Sequence, residues 1–350
     1  MKKIYLSIVK TWTLAAGLVL LGVAIGQGLN QPAAAPVHTL AGSVPAGSAS
    51  FQHPLTIVAQ RARPYLGGSF RVETDLGTGE GYRLSQVSYN SDGLRVQALM
   101  ATPDSARPLL GYPVIILAHG YVSPVAYRTN GPEYQDTIRA FARAGYVVIK
   151  PDFRGYGGSW GSPSSAYYDT GDTADILNLA NSLAAYPIVD AGNVGLWGHS
   201  MGGHVVLSAL TVAPQRFKAA VIASAGIGTL SDMYATWHPQ SDDENPVGAI
   251  ARNRLVQLFG TPRANPAFWD SVSPLSYAKE IATPLQLHTG LLDRVVPPRF
   301  TDQASGILTA AGHAPALYHY LSGGHSYGGE DLRLLQSRSL ELFNAHLRRY

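Results

Sequence analysis

Between the apolar run Val194-Gly195-Leu196-Trp197 and a helix-like segment lies Gly198-His199-Ser200-Met201-Gly202, which fits the G-x-S-x-G pattern of a nucleophile elbow. No other feature of the chain restricts its fold as much. An elbow carries the serine through a strained turn from strand to helix and lifts its Oγ out of the sheet. The flanks must therefore be small, because a side chain at Gly198 or Gly202 would collide with the neighbouring strand and helix. Gly203 extends the small-residue side. The helix opening near Gly202 turns its free N–H groups and positive dipole end toward the serine, which favours negative charge on a bound oxygen. A chance glycine–serine loop also matches G-x-S-x-G, and the strand before it and helix after it are the context that selects the elbow.

A serine nucleophile needs a base and an orienting acid, and with this elbow both follow it in the chain, acid before base. Leu285-Gln286-Leu287-His288-Thr289-Gly290 reads as a short buried strand, and Asp293 sits in the loop after it, where a carboxylate can face an imidazole. The next strand, Ala316 to Leu321, runs into Ser322-Gly323-Gly324-His325-Ser326-Tyr327, a glycine loop free to bring its histidine over the elbow. Asp293 is the candidate acid and His325 the candidate base. Four later histidines compete: His288 and His319 inside strands, His313 in a turn and His346 in the closing helix, all positions that suit structural roles.

An oxyanion site draws on the N–H after the nucleophile, here Met201, and on the loop after the third strand. That strand, Pro113 to Leu117, ends in Ala118-His119-Gly120-Tyr121, so the Tyr121 N–H or its phenol faces the acyl oxygen, unless Tyr121 only packs in the cleft mouth. A second glycine-rich stretch, Asp152-Phe153-Arg154-Gly155-Tyr156-Gly157-Gly158-Ser159, follows the strand Tyr146 to Lys150; there Asp152 and Arg154 read as braces rather than substrate contacts.

With these motifs in order, the chain resembles the prolyl oligopeptidase family of serine hydrolases, a peptidase S9-like group within the α/β-hydrolase fold. The resemblance rests on the H-G-Y turn at His119, D-F-R-G-Y-G-G-S from Asp152, W-G-H-S-M-G-G from Trp197, S-P-L-S-Y from Ser273, H-T-G-L-L-D-R-V-V-P-P from His288 and the final G-G-H-S-Y, over residues 83 to 350. It implies that Ser200, Asp293 and His325 form the catalytic triad and that Tyr121 matches a position where some members place a tyrosine hydroxyl in the oxyanion hole. Large members carry a β-propeller ahead of the hydrolase domain, and no stretch of these 350 residues is long enough for one.

The rest of the chain fits one α/β domain over 61–350, preceded by a segment of a different kind. Lys2, Lys3 and Lys10 precede the apolar stretch Thr11 to Gly26, and small residues follow to Ala35. Residues 1–35 therefore read as a secretory signal, which implies a secreted or periplasmic enzyme; Pro36 hinders cleavage after Ala35, so an uncleaved anchor tethering the chain through residues 11–26 is the alternative. Residues 36–60, rich in Ala, Gly, Ser and Pro, read as a linker. Two strands flanking Asn90-Ser91-Asp92-Gly93 form a hairpin, after which strands and helices alternate. These runs predict a mostly parallel, eight-stranded sheet with helices on both faces. Residues 226–270 interrupt the alternation, either as a lid over the cleft or as a solvated excursion.

Composition narrows the chemistry. The net charge of +3 vanishes once Lys2, Lys3 and Lys10 are set aside, and charged residues are 14% against about 25% in an average soluble protein, so nothing supports a nucleic-acid role. With no cysteine, thiolate nucleophiles and thiolate metal sites are excluded, and the eleven histidines show no ligand spacing. The expectation is acyl transfer through a serine ester, without cofactor or metal, on a small ester or short peptide. An acyltransferase with the same triad and a non-catalytic scaffold are the alternatives.

Overall fold

Tyr112–Ala118, Val147–Pro151, Ala220–Ala223 and Leu285–Gly290 are buried along their whole length, which strands achieve only when helices cover both faces of their sheet. The computed structural model describes residues 53–237 and 246–347, all within one compact unit. In chain order its strands are β1 (Arg71–Gly79), β2 (Tyr82–Ser91), β3 (Leu94–Pro103), β4 (Tyr112–Ala118), β5 (Val147–Pro151), β6 (Val189–His199), β7 (Ala220–Ala223), β8 (Leu285–Gly290) and β9 (Ala316–Tyr320). They form one sheet in the order β1-β2-β3-β5-β4-β6-β7-β8-β9, antiparallel from β1 to β5 and parallel from β5 to β9. This is the α/β-hydrolase fold.

Among the described residues the sheet has nine strands rather than the expected eight. The extra one is β1, whose residues are almost all exposed, so neither alternation nor an apolar run marks it in the sequence. The helices are α1 (Ile57–Ala62), α2 (Gln135–Arg143), α3 (Gly171–Ser182), α4 (Met201–Val212), α5 (Leu230–Thr236), α6 (Pro246–Phe259), α7 (Pro266–Val272), α8 (Arg299–Ala310) and α9 (Gly329–His346). The main core lies on the α3, α4 and α8 face, with a second cluster under α2 and α9.

The expected linker, 36–60, runs into α1. Thr56 caps that helix by accepting the Ala59 N–H, and Leu55 and Ile57 are buried against the main core, so the folded domain starts before residue 61. Residues 1–35, with the expected signal or tether, and 36–52 lie outside the described residues. No helix among the described residues is long and apolar enough to cross a membrane. Within 226–270, Leu230, Met233, Leu255, Phe268 and Trp269 are buried in the core, so α5, α6 and α7 are not a solvated excursion; His238, Pro239 and the acidic run 242–244 lie outside the described residues.

Candidate active site

β6 ends at His199 and α4 begins at Met201, leaving Ser200 alone to make the turn at φ 55° and ψ −124°. A non-glycine residue held there stores about 1–3 kcal/mol, so the surroundings must enforce it. The Ser200 N–H donates to the Ala223 carbonyl at 2.9 Å, and its carbonyl accepts the Gly203 N–H at 3.0 Å. Close packing does the rest: a Cβ on Gly202 would lie 2.1 Å from the Ala118 oxygen and one on Gly198 2.5 Å from the Gly202 oxygen. Both flanking glycines are therefore required.

The loops after β8 and β9 meet over this elbow. The Leu291 N–H donates to the Tyr320 carbonyl and the Leu292 N–H to the Gly323 carbonyl, each at 2.9 Å, which ties the two loops together. Asp293, its side chain fully buried, accepts the Val295 and Val296 N–H groups on Oδ1 at 2.8 and 2.9 Å and faces His325 Nδ1 with Oδ2 at 2.9 Å. His325 Nε2 lies 2.9 Å from Ser200 Oγ. A carboxylate only accepts, so Nδ1–H donates to Asp293 and Nε2 is left to accept the Ser200 hydroxyl proton. Ser200, His325 and Asp293 thus form one hydrogen-bonded series.

The competing histidines have other partners. His288 is buried between the Tyr320 hydroxyl and Gln286, and burial pushes its pKa down to about 3. His319 pairs with Asp302 on the surface, His313 follows α8, and His346 ends α9.

Gly120 approaches the elbow so closely that a Cβ on it would lie 3.1 Å from the Ser200 Cβ. Its N–H is consumed, donating to the Tyr134 hydroxyl at 2.8 Å. Tyr121, next in the chain, is half-buried against the core, and burial raises its phenol pKa. Met201, the first residue of α4, has no partner for its N–H within the helix.

The second glycine-rich stretch braces these loops. Lys150 Nζ donates to the Tyr127 hydroxyl at 2.7 Å, which donates to Asp152 Oδ1 at 2.9 Å; Thr129 bonds the other carboxylate oxygen. The His119 ring stacks on Tyr127 at 4.7 Å, and burial, with Lys150 beside it, pushes the His119 pKa down to about 4. Arg154 pairs with buried Asp175 at 2.7 Å and with Asp92 at 3.0 Å. Tyr134 carries no motif and went unnoticed in the sequence; its bonds join residues 14 and 65 positions away.

A family model described as the prolyl oligopeptidase family matches residues 132–348. The chain belongs to the prolyl oligopeptidase family. It is a serine hydrolase, and the family match begins after the His119-Gly120-Tyr121 turn, which lies outside it. Among curated relatives, the uncharacterized peptidase YtmA of Bacillus subtilis is 28% identical over 214 residues, 61% of this chain and 75% of that protein. Dipeptidyl-peptidase 5 of Porphyromonas gingivalis is 32% identical over 189 residues, 52% of this chain but only 26% of that protein. Among solved structures, the acetyl xylan esterase from Paenibacillus sp. R4 superposes with a TM-score of 0.62 at 17% identity, covering 83% of this chain and 92% of that one. The acylaminoacyl peptidase of Pyrococcus horikoshii gives 0.60 at 21% identity, covering 77% and 42%. The chain thus spans less than half the length of the larger prolyl oligopeptidase-type peptidases it matches.

Proposed function

We propose that this chain hydrolyses small carboxylic esters and short peptides through an acyl-Ser200 intermediate. The observation that carries the reading is the hydrogen-bonded series Ser200, His325, Asp293 beside a helix N-terminus. His325 takes the Ser200 proton as Oγ attacks the acyl carbon; Asp293 holds the imidazole tautomer and stabilises the imidazolium. The Met201 and Tyr121 N–H groups stabilise the oxyanion, Tyr121 because the Gly120 N–H is already committed to Tyr134. His325 returns the proton to the leaving group, and water then releases the acid by the same steps in reverse.

Esters are the favoured substrates. Their leaving groups depart more readily than amines. The experiment compares kcat/KM on p-nitrophenyl acetate and butyrate with that on aminoacyl, dipeptidyl and prolyl p-nitroanilides. Esters are expected to be faster, and Ser200→Ala to remove at least 10⁴-fold of the rate, as loss of a triad serine does. Faster anilide cleavage reverses the substrate ranking, and a Ser200→Ala enzyme within tenfold of wild type refutes the mechanism. From the Lys2 to Ala35 pattern we also infer export from the cytoplasm; cell fractionation finding the enzyme only in the cytoplasm contradicts it.

A further inference from the structure

His199, between the first elbow glycine and the nucleophile, makes two hydrogen bonds whose directions are fully determined. Its Nε2 lies 2.7 Å from the His325 backbone oxygen and its Nδ1 2.9 Å from the Tyr134 hydroxyl. Burial, with His325 nearby, pushes its pKa down to about 4, so the ring is neutral at pH 7, with one donor and one acceptor. A carbonyl only accepts, which puts the proton on Nε2 and leaves Nδ1 to accept the Tyr134 O–H. The Tyr134 oxygen in turn accepts the Gly120 N–H at 2.8 Å. The series runs from the Gly120 N–H to the Tyr134 hydroxyl, from that hydroxyl to His199, and from His199 to the carbonyl of His325.

This series ties the turn after β4 that carries Tyr121 and the elbow after β6, whose strands pair up to Ala118 and Gly198, to the loop after β9 that carries the base, a strand that pairs with neither. The His199 ring packs 4.9 Å from that of His325 and 5.7 Å from that of Tyr134. Tyr134 itself sits at φ 66°, a left-handed conformation costly for an aromatic residue, directly before the first residue of α2. Such strain persists only where the surroundings enforce it.

We propose that His199 and Tyr134 are positioning residues that fix the spacing between the base and the oxyanion loop. Neither lies on the path of the proton between Ser200, His325 and Asp293. The clamp lowers the acylation barrier by holding the Tyr121 N–H and the His325 ring where the tetrahedral intermediate needs them, so its loss slows chemistry and leaves ester binding unchanged. The inference rests on the acyl-transfer reading of Ser200.

The test uses Tyr134→Phe, which removes the bridging hydroxyl, and His199→Gln, whose amide keeps a donor for the His325 carbonyl but has no acceptor at the Nδ1 position. Acylation rate constants and half-saturation concentrations are read from the pre-steady-state release of p-nitrophenol from p-nitrophenyl acetate. Rates are normalised to sites labelled by a fluorophosphonate, so that misfolded material does not count. Each variant is expected to lose about 10- to 100-fold in acylation rate, the factor that one or two misplaced hydrogen bonds produce, with half-saturation within threefold. The double variant is expected to lose less than the product of the two single losses, because both break the same link. A loss under fivefold in either variant, or losses that multiply in full, overturns the clamp. If the fluorophosphonate does not label Ser200 in the wild type, the acyl-transfer reading falls and the clamp with it; labelled wild type with unimpaired variants overturns the clamp alone.

Discussion

Asp293→Asn changes one atom in the hydrogen-bonded series, and the structure dictates how the amide must sit. Oδ1 accepts two backbone N–H groups, from Val295 and Val296, and Oδ2 alone faces His325. In the variant the amide oxygen stays on the two N–H groups, because turning it over would aim an NH2 at both donors. The NH2 then points at His325 Nδ1, which must become an acceptor, and the ring proton moves to Nε2. There it faces Ser200 Oγ, and the imidazole has no lone pair for the serine proton. Restoring the productive tautomer requires the reversed amide, with the N–H groups of buried Val296 and half-exposed Val295 aimed at an NH2 and unpaired, at about 1–3 kcal/mol each, or roughly 2–6 kcal/mol together. At about 1.4 kcal/mol per decade, kcat on p-nitrophenyl acetate falls by roughly 30-fold to 10⁴-fold. Both backbone bonds survive, so the melting temperature stays near that of wild type; Asp293→Ala, which loses them, melts lower. A folded Asp293→Asn enzyme within fivefold of wild-type kcat refutes this account of Asp293.

Through its buried histidines, acid should destabilise the fold between pH 6.5 and about 4. Burial lowers the pKa values of His119, His199 and His204 to about 4 and that of His288 to about 3, so over this range the unfolded chain binds protons at these rings that the native state does not. Buried Asp152, Asp172 and Asp175, whose pKa values burial raises, act in the opposite sense, so the test is a difference: the change in urea midpoint from pH 7 to pH 5 is expected to be less destabilising in His288→Asn than in wild type, and an equal change contradicts a neutral His288. Arg154→Met leaves the Asp175 carboxylate buried beside an apolar chain and is expected to cost about 3–5 kcal/mol in urea unfolding at pH 7; a loss under 1 kcal/mol would show that the pair contributes little. Gly202→Ala is expected to prevent stable folding, whereas Gly306→Ala in α8, with open space around the new methyl, gains about 0.5–1 kcal/mol; similar midpoints for the two would contradict the packing at the elbow.

What the sequence revealed was local. Ser200 is visible because the turn requires Gly198 and Gly202 on either side of it, and Asp293 and His325 because each follows a short apolar strand. β1 was missed because its exposed residues leave no apolar rhythm, and α1 because six residues within an Ala- and Ser-rich stretch give too little periodicity to separate helix from linker. The Gly120, Tyr134, His199 series was invisible for another reason. Its members are far apart in the chain, and nothing in their immediate neighbours distinguishes Tyr134 from any other tyrosine.

The three hydrogen-bonded residues Ser200, Asp293 and His325 hang from β6, β8 and β9, and His325 reaches Ser200 across 125 positions of chain. Among the described residues β9 is one of the two edge strands of the sheet and pairs with β8 alone. While the chain is being synthesised, the elbow, the Gly120 turn and the Asp293 loop all emerge before His325, so under the proposed mechanism a nascent or truncated chain lacking β9 and its loop is expected to be catalytically silent however well the rest has folded. Serine hydrolase activity is therefore expected to report completion of the sheet: the first turnover marks the docking of β9 and the loop after it.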